Sequence, residues 1–488
     1  CIRDRSWNRY QVMKTYIILA TFIVLFPGVL PAQDALPPSV KNALSYRKVP
    51  DNALSIFVED LASGEVVLAW NDDTPRNPAS VEKMVTTLIA LDILGPTYRW
   101  KTEVSAVGVV SRGTLVGDLL IKGYGDPYLV TERFWQMLRR VRQLGIENID
   151  GNLLLDDSYF DVGNYDPAAF DREPLRAYNV PPNALLTNFK VIRYYFVPEP
   201  AMSRVRVTLE PPLENLEIVN QLTTTNGACR GYQRGIAIIP NEDYSRITLS
   251  GRFPSGCEIY ALDRTALSHN EFTYGVFKSL WEESGGGFSG AWQNVIAEDV
   301  LLDESHEPLL IFESLPLSEV IAKVNKYSNN VMAKQLLYTL AAEAYGPIGT
   351  ESKGLQVVRE WLAEHGMGSE ELRIDNGAGL SRDSRMTARH LADVLRYAYE
   401  SPFMPEYLAS LSLSGLDGTL SGRFRNSALT GQAHMKTGSL DHVSAVAGFF
   451  QSRSGKRFIV VTMLNHTDVH RGPGKEVQEM LLRWLYER

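Results

Sequence analysis

The chain is organised around one stretch, Asn77-Pro-Ala-Ser-Val-Glu-Lys-Met-Val-Thr-Thr-Leu-Ile-Ala-Leu-Asp92. It places Ser80 three residues before Lys83, at the start of an apolar segment with helical spacing. Residues three apart on a helix are neighbours, so the lysine amine is expected beside the serine hydroxyl. A lysine whose pKa is lowered by burial or by a nearby cation can take the serine proton. The stretch therefore predicts a nucleophile with its own base.

A Ser-x-x-Lys pattern alone is weak evidence, because a chain of this length contains about one or two copies by chance. A second copy is present at Ser45-Tyr-Arg-Lys48, where Val49-Pro50 follows and no apolar helix does. We interpret that copy as surface. The copy at Ser80 has Pro78 just ahead of the predicted helix and a wide apolar face behind it. Only the setting of Ser80 suits nucleophilic chemistry.

Length and composition indicate a globular protein with more than one domain. At 488 residues the chain exceeds one ordinary hydrophobic core, so two or three domains are expected. An apolar content of 44% and a charged content of 22% are typical of globular proteins. The formal net charge of −8 lacks the basic footprint of nucleic-acid-binding proteins, so we exclude that class.

The N-terminus has the pattern of a signal peptide. Met13-Lys14 is followed by an apolar run from Tyr16 to Phe26 and by a segment that ends in small residues at Ala32. The run is too short to span a bilayer comfortably. We therefore expect a periplasmic or secreted protein whose mature chain starts near Gln33 and has no transmembrane anchor. Residues 1–12 are interpreted as an upstream over-extension of the reading frame.

Cys229 and Cys257 are the cysteines of the predicted mature chain, and the third cysteine is Cys1. An even number of cysteines in an exported chain favours a disulfide, which we predict between these two. Closing a loop of this length stabilises the fold by about 3–4 kcal/mol in the chain-entropy model. The alternative, two buried free thiols, stays open at this point.

The hydrophobic pattern predicts one domain interrupted by a long insertion. Two short strands precede the Ser80 helix, and helices, three strands and a closing helix follow from about residue 305 onward. Between them, many short β-like runs are separated by Gly-, Pro- and Asn-rich turns. The predicted units are a catalytic domain of residues 33–98 and 305–488, and an insertion of residues 99–304 with two subdomains, 99–189 with 275–304 and 190–274.

Two further motifs lie downstream of the serine. Ser328-Asn-Asn330 falls within the strongly helical stretch from Leu317 to Ala342, and Lys436-Thr-Gly-Ser439 ends a β-like run that begins at Gln432. Each motif is weak alone, since Ser-x-Asn also occurs at Ser268. In this order, together with Ser-x-x-Lys, they form the three-motif pattern of serine penicillin-binding proteins and β-lactamases.

The chain as a whole resembles the D-alanyl-D-alanine carboxypeptidase/endopeptidase family, the class C low-molecular-mass penicillin-binding serine peptidases. This resemblance implies an α/β (α+β) fold of the β-lactamase/penicillin-binding transpeptidase type, in which helices flank an antiparallel sheet and a large, mostly β insertion interrupts the domain. Beyond the three motifs it rests on Gly123-Tyr-Gly-Asp-Pro127, Asp156-Asp-Ser-Tyr-Phe160, Asn376-Gly-Ala-Gly-Leu-Ser-Arg382 and Gly415-Leu-Asp-Gly-Thr-Leu420.

A few positions depart from the family pattern, although none of them removes a motif residue. The family often has Ser at Ala378, Glu at Lys334, Asn at Lys190 and Thr at Ser439. These departures bear on substrate preference more than on the chemistry.

The resemblance implies an acyl-transfer role for each motif residue, with peptidoglycan stem peptides as the substrate. Ser80 would attack the carbonyl between two D-alanines, with Lys83 as the base. Lys436 would keep Lys83 partly neutral and attract the terminal carboxylate of the substrate. Ser328 would relay a proton to the leaving D-alanine, and Asn330 would hold a substrate amide.

The resemblance also implies a binding site around these groups. The backbone N–H groups of Ser80 and Ser439 would form the oxyanion hole, and the hydroxyls of Thr437 and Ser439 would bind the substrate carboxylate. β-Lactams would acylate Ser80 as covalent inhibitors, and neither a cofactor nor a metal is expected. Asp156 is a candidate partner for the free amine of a diaminopimelic acid side chain. The alternative, a turn aspartate that caps local backbone, stays open.

Two other functions compete with the D,D-carboxypeptidase and D,D-endopeptidase reading. A β-lactamase shares the three motifs but is usually shorter and lacks this insertion. A catalytically weak peptidoglycan-binding protein would keep the fold without turnover. The histidines form no His-Glu-x-x-His zinc signature and no Gly-x-Ser-x-Gly elbow is present. The oligomeric state stays open, with a homodimer among the alternatives.

Overall fold

A computed structural model of the protein describes residues 35–230, 235–301 and 307–488. The predicted signal peptide, the segment before it and the mature start near Gln33 lie outside the described residues. Within the described ranges, no helix combines the length and the hydrophobicity that a membrane crossing requires.

The described strands form three sheets, and helices lie between them along the chain. The helices are α1 (Pro38–Arg47), α2 (Lys83–Leu94), α3 (Thr131–Gln143), α4 (His269–Glu283), α5 (Ala297–Val300), α6 (Leu317–Tyr327), α7 (Asn330–Tyr345), α8 (Glu351–Glu364), α9 (Ala388–Glu400), α10 (Met404–Ser410) and α11 (Pro473–Tyr486). The strands are β1 (Leu54–Asp60), β2 (Val66–Trp70), β3 (Lys101–Ser111), β4 (Thr114–Gly123), β5 (Asn148–Ile149), β6 (Leu153–Asp156), β7 (Ile192–Glu199), β8 (Arg204–Glu210), β9 (Glu217–Ala228), β10 (Ile236–Pro240), β11 (Arg246–Gly256), β12 (Tyr260–Arg264), β13 (Gly287–Phe288), β14 (Trp292–Asn294), β15 (Leu310–Glu313), β16 (Ser412–Leu413), β17 (Ala433–Leu440), β18 (Val443–Gln451) and β19 (Arg457–Asn465).

The first sheet joins the two ends of the chain. Its strand order is β16-β17-β18-β19-β1-β2, and every pair in it is antiparallel. Strands β18 and β19 are almost continuously apolar because the sheet is covered on both faces. One face packs against α2 and α6 to α9, and the other packs against α1 and α11. The predicted mixed α/β fold, with helices flanking an antiparallel sheet, is confirmed.

The insertion carries the other two sheets. One has the order β13-β5-β4-β3-β15, with β6 and β14 paired beside β4, and the other has the order β10-β11-β9-β8-β7-β12. Helices α3 and α4 and residues from both sheets share one hydrophobic core, which includes Phe134, Tyr194, Phe253 and Phe272.

Two elements cross the predicted boundaries of the insertion, whose division into domains stays a prediction. Strand β15 pairs with β3, with Phe312 opposite Thr102, so the sheet of the insertion continues past the predicted end at residue 304. Helix α4 runs through the predicted boundary between residues 274 and 275. Long-range strand pairing and a shared core leave no composition change in the sequence, so the sequence pattern does not report these two contacts.

The predicted disulfide is confirmed. Cys229 and Cys257 are bonded, with an S–S distance of 1.99 Å and Cα atoms 4.7 Å apart. Strands β9 and β11 run parallel up to this point, with Ala228 opposite Gly256. The bond therefore ties together two neighbouring strand ends of the insertion.

Candidate active site

Ser80 lies on a tight turn that leads directly into α2. Residues Ala79–Glu82 form a 3-10 turn, and Ala79 has a left-handed backbone with φ of 47°. A Cβ atom at Gly438 would lie 3.2 Å from the Ser80 amide nitrogen, and one at Gly379 would lie 2.0 Å from the Ala79 carbonyl oxygen. The turn is therefore held between β17 and the loop around Gly379, in a conformation that costs free energy unless its neighbours enforce it.

Lys83 is fully buried and connects the nucleophile to the rest of the site. Its Nζ lies 3.0 Å from Ser80 Oγ and 2.6 Å from Asn330 Oδ1, and it also contacts the carbonyl oxygen of Ala378. A neutral amine has two N–H donors and one lone pair. If Asn330 and Ala378 accept from the donors, the lone pair faces the Ser80 hydroxyl. This geometry suits proton removal from Ser80.

The charges around Lys83 favour its neutral form. Burial lowers its pKa well below the ordinary lysine value, and the positive charges of Lys436 and Lys334 lower it further. The carboxyl of Glu82 acts in the opposite direction. Burial also lowers the pKa of Lys436 to about 7. Both lysines are buried, and each loses a proton more easily than an exposed lysine does.

The Ser-x-Asn motif sits at a break between two helices. The helical pattern from Leu317 to Ala342 is divided, because Ser328 caps α6 in a left-handed conformation with φ of 57°. Asn329 then caps α7 by accepting the Met332 N–H at 3.1 Å. This break turns the Ser328 hydroxyl toward Lys436, whose Nζ donates to it at 2.8 Å.

The Lys-Thr-Gly motif lies inside β17 and not at its end, because the strand continues to Leu440. Lys436 Nζ also donates to its neighbour, the Thr437 carbonyl oxygen, at 2.8 Å. The Thr437 hydroxyl donates to the Thr419 hydroxyl at 2.8 Å, and Ser439 is exposed. The structure therefore brings together Ser80, Lys83, Ser328, Asn330 and Lys436, with Thr437 and Ser439 on the same strand as Lys436.

Asp156 is placed differently from its predicted substrate-binding role. Its carboxylate is fully buried, and it accepts the Ser158 and Ala297 N–H groups, each at 2.8 Å. Lys122 Nζ lies 3.4 Å away as its cation. No oxygen of this carboxylate is exposed to meet a substrate amine, so the structure favours the alternative, an aspartate that caps local backbone.

Several contacts of the site were not predicted from the sequence. The backbone of Gly377 to Gly379 contacts the nucleophile helix through Glu82, Lys83 and Thr86. This loop belongs to the stretch Asn376 to Arg382, which the sequence marks only by resemblance. The signal for Glu82 was a carboxylate at the start of an apolar helix, where an acid needs a specific partner.

A cleft of about 590 Å³ opens beside the Ser-x-Asn motif. The backbone and side chains of Ser328 to Asn330 line one side of it. The insertion provides the other side, which includes Tyr178, Phe189 and Arg193. A substrate longer than a dipeptide therefore has space between the catalytic domain and the insertion.

One cluster in the described part of the chain has metal-ligand chemistry, but its hydrogen bonds oppose metal binding. Ligand atoms of His442, Asp468 and His470 lie within 4.8 Å of one another. The Nδ1 atom of His470 accepts the His442 N–H at 2.9 Å, and the Nδ1 atom of His442 accepts the Asp468 N–H at 3.1 Å. A neutral ring that accepts at Nδ1 carries its proton on Nε2, so neither ring offers a lone pair to a metal. We assign the cluster to the structure of the turn.

Known proteins are similar to this chain over most of its length. A model of the D-Ala-D-Ala carboxypeptidase 3 (S13) family matches residues 38–487. A D-alanyl-D-alanine carboxypeptidase from Actinomadura sp. (strain R39) is 28% identical over 438 residues, covering 86% of this chain and 78% of that protein.

Solved structures resemble the whole fold. The crystal structure of penicillin binding protein 4 (dacB) from Haemophilus influenzae has a TM-score of 0.76 at 21% identity, covering 92% of this chain and 99% of that one. The same protein in complex with a β-lactam has a TM-score of 0.72 at 20% identity, with the same coverage of both chains. At this low identity the two structures establish the fold alone, and they confirm the predicted penicillin-binding type.

Proposed function

Because the chain belongs to the D-Ala-D-Ala carboxypeptidase 3 (S13) family, we propose that it is a serine D,D-peptidase that hydrolyses D-alanyl-D-alanine stem peptides of peptidoglycan. The observation that carries this proposal is the contact of buried Lys83 with Ser80, at 3.0 Å. A buried lysine whose pKa is lowered, beside a serine hydroxyl, has the arrangement of a base beside its nucleophile.

Acylation would begin at Ser80. Lys83 takes the hydroxyl proton while Ser80 attacks the carbonyl between the two D-alanines. The developing oxyanion is met by the backbone N–H groups of Ser80 and Ser439, and losing one such donor costs about 3–4 kcal/mol of barrier in other acyl-transfer enzymes. The close packing of Gly438 against the Ser80 amide supports this arrangement, since it brings β17 to the nucleophile.

The leaving group would depart toward Lys436. The Ser328 hydroxyl accepts a hydrogen bond from Lys436 Nζ and lines the cleft, which suits a proton relay to the departing amine. The Thr437 and Ser439 hydroxyls and the charge of Lys436 would bind the terminal carboxylate of the substrate. Asn330, which accepts from Lys83, would present its amide group to the substrate backbone. A water molecule then hydrolyses the acyl-enzyme.

The same chemistry extends to D,D-endopeptidase action. In that case the leaving group is the side-chain amine of a cross-linked stem peptide, which is bulkier than D-alanine. The cleft of about 590 Å³ between the Ser-x-Asn motif and the insertion supports this, because it gives the second peptide a place. β-Lactams would act as covalent inhibitors that acylate Ser80, and the signal-peptide pattern supports a periplasmic or secreted location.

Release of D-alanine tests the proposal. Purified mature protein is incubated with a pentapeptide that ends in D-Ala-D-Ala, and free D-alanine is measured. We expect release by the wild type, and a loss of about a thousandfold or more in Ser80→Ala, since the nucleophile is removed.

Ser45→Ala is the matched control for this test. It removes the serine of the other Ser-x-x-Lys copy, which is exposed at the end of α1. We expect it to release D-alanine at the wild-type rate. A wild type that releases none, or a Ser80→Ala variant as active as the wild type, would refute the proposal. Fast penicillin turnover without D-alanine release would favour a β-lactamase instead.

A further inference from the structure

Three consecutive contacts fasten one loop to the nucleophile helix. Glu82 Oε1 accepts the Gly379 N–H at 3.2 Å, Lys83 Nζ donates to the Ala378 carbonyl, and Thr86 Oγ1 donates to the Gly377 carbonyl at 2.7 Å. The three side chains lie along one face of the helix start, and the three backbone groups are consecutive. One acceptor side chain and two donor side chains of the helix therefore fix the position of the loop beside it.

The loop has little freedom to move relative to Ser80. Gly379 has a φ of 68°, and a Cβ atom there would lie 2.0 Å from the Ala79 carbonyl oxygen. Asn376 holds the loop from the other side, with Oδ1 accepting the Ala378 N–H and Nδ2 donating to the Leu380 carbonyl, each at 3.0 Å. A shift of Gly379 would thus change both the Ser80 turn and the carbonyl that Lys83 contacts.

Glu82 is a fully buried carboxyl in this arrangement. Burial raises its pKa to about 7, against the opposing effects of the Ser384 hydroxyl, the Gly379 N–H and the Lys83 charge. Asp375, which precedes the loop, raises the same pKa. Lys334 from α7 and Lys436 from β17 are the other charges that act on Lys83. Among the groups that act on Lys83 here, Glu82 alone has a charge that favours the protonated amine.

We propose that Glu82 is a positioning residue for the acylation of Ser80: its carboxyl holds the Gly379 amide, so that the Ala378 carbonyl stays on Lys83. The charge of the same carboxyl favours the protonated amine of Lys83, so it also affects the pH dependence of acylation. The inference rests on the proposed function, in which Lys83 takes the Ser80 proton. Glu82 lies between Ser80 and Lys83 in the sequence, and the inference gives this buried acid a role of its own.

The two parts of the role predict different effects for two substitutions. Glu82→Gln keeps an oxygen for the Gly379 N–H but removes the charge that Glu82 carries above its pKa of about 7, so Lys83 loses its proton more easily in that pH range. The acid limb of the pH–rate profile is the range in which acylation slows because Lys83 is protonated. This limb then moves to lower pH, by roughly one unit. Glu82→Ala removes the acceptor as well, so the rate on the alkaline plateau falls about 10- to 100-fold.

The experiment measures the second-order rate of acylation by a fluorescent penicillin across the neutral pH range, for the wild type and both variants. Glu59→Gln is the matched control, because Glu59 is a buried carboxylate of the same domain that pairs with Arg396. We expect the control to keep the wild-type limb and plateau. Thermal unfolding of each variant is recorded alongside.

The outcomes separate this inference from the proposed function. An acid limb at the wild-type pH in Glu82→Gln would show that the charge does not tune Lys83. A wild-type plateau in Glu82→Ala would show that the hydrogen bond does not position the loop. Either result overturns the inference while leaving Ser80 as nucleophile. Absence of labelling in the wild type itself would refute the proposed function instead.

Discussion

Lys83 and Lys122 are both buried lysines beside carboxyl groups, yet their pKa values shift in opposite directions. Burial lowers the pKa of each. For Lys122 the contacts with Glu298 and Asp156 more than offset burial, and its pKa is raised. For Lys83 the charges of Lys436 and Lys334 add to burial, and its pKa falls well below the ordinary value.

Under the proposed function, this difference distinguishes a structural ion pair from a reactive group. Lys122 and Asp156 are matched in charge and fixed between β4 and β6, which stabilises the insertion. Lys83 has like charges nearby and neutral hydrogen-bond partners, which is unfavourable for a stable ion but favourable for a base. Perturbation of this second kind is typical of functional sites.

Substitution of each lysine by methionine should give the largest contrast. Lys83→Met removes the base, so we expect penicillin acylation to fall by about 100- to 10,000-fold. Lys122→Met leaves Asp156 buried without its cation, so we expect a loss of roughly 3–5 kcal/mol in unfolding free energy. Acylation rate and urea unfolding are measured on both variants.

The comparison would be wrong if Lys83→Met mainly lowered stability, or if Lys122→Met also lowered the acylation rate. A Lys122→Met variant that stays folded should acylate at the wild-type rate under native conditions. Loss of acylation in this folded variant would mean that the insertion pair contributes to the chemistry.

Substitution of the neighbouring charge should have a smaller effect, on pH dependence. Lys436→Met removes a positive charge that is present at and below a pH of about 7, so the pKa of Lys83 rises. We expect the acid limb of acylation to move to higher pH by roughly one unit. The rate at neutral pH should fall about tenfold from this shift, and further because the cation proposed to bind the substrate carboxylate is lost.

Lys334→Met is the graded control for that shift. Lys334 has the weaker of the two like-charge effects on Lys83, so the limb should move in the same direction but less. A shift of the limb to lower pH in either variant would contradict the like-charge explanation.

The smallest expected effect concerns substrate choice at Asp156. Because its carboxylate is buried among Ser158, Ala297 and Lys122, Asp156→Ala should lower stability by about 1–3 kcal/mol without changing preference. Hydrolysis is compared for peptides with a free and an acetylated amine at the third residue. A selective loss for the free amine would restore the substrate-binding role.

The residues of the candidate site were predictable from the sequence wherever they belong to a motif. Ser80, Lys83, Ser328, Asn330 and Lys436 were found because an ordered set of short patterns occurs rarely. Their mutual placement was not predictable, since it depends on contacts such as Lys83 to Ala378 across the whole insertion.

The fold class was predictable because the residues near each end of the chain have a clear hydrophobic pattern. The continuous apolar runs of β18 and β19, for example, predict strands covered on both faces. The helix break at Ser328 could be placed only by its motif, because hydrophobic periodicity continues through it and does not report a left-handed residue. Strand β15 was missed because its partner β3 lies about two hundred residues earlier.

Asp156 shows the limit of resemblance as evidence. The residue type and the local pattern matched, but burial and the partner Lys122 decide whether a carboxylate is available, and both depend on tertiary structure. Glu82 shows the reverse case, in which a residue with no role predicted from the sequence is proposed to have one because of its contact with the loop.

Peptide mapping of the penicillin adduct tests the central claim most directly. The wild-type protein is labelled, digested and analysed by mass spectrometry. We predict one adduct, on the peptide that contains Ser80, and no adduct on the peptide that contains Ser45. An adduct at another residue, or an unmodified Ser80 after prolonged exposure, would contradict the assignment of Ser80 as the nucleophile.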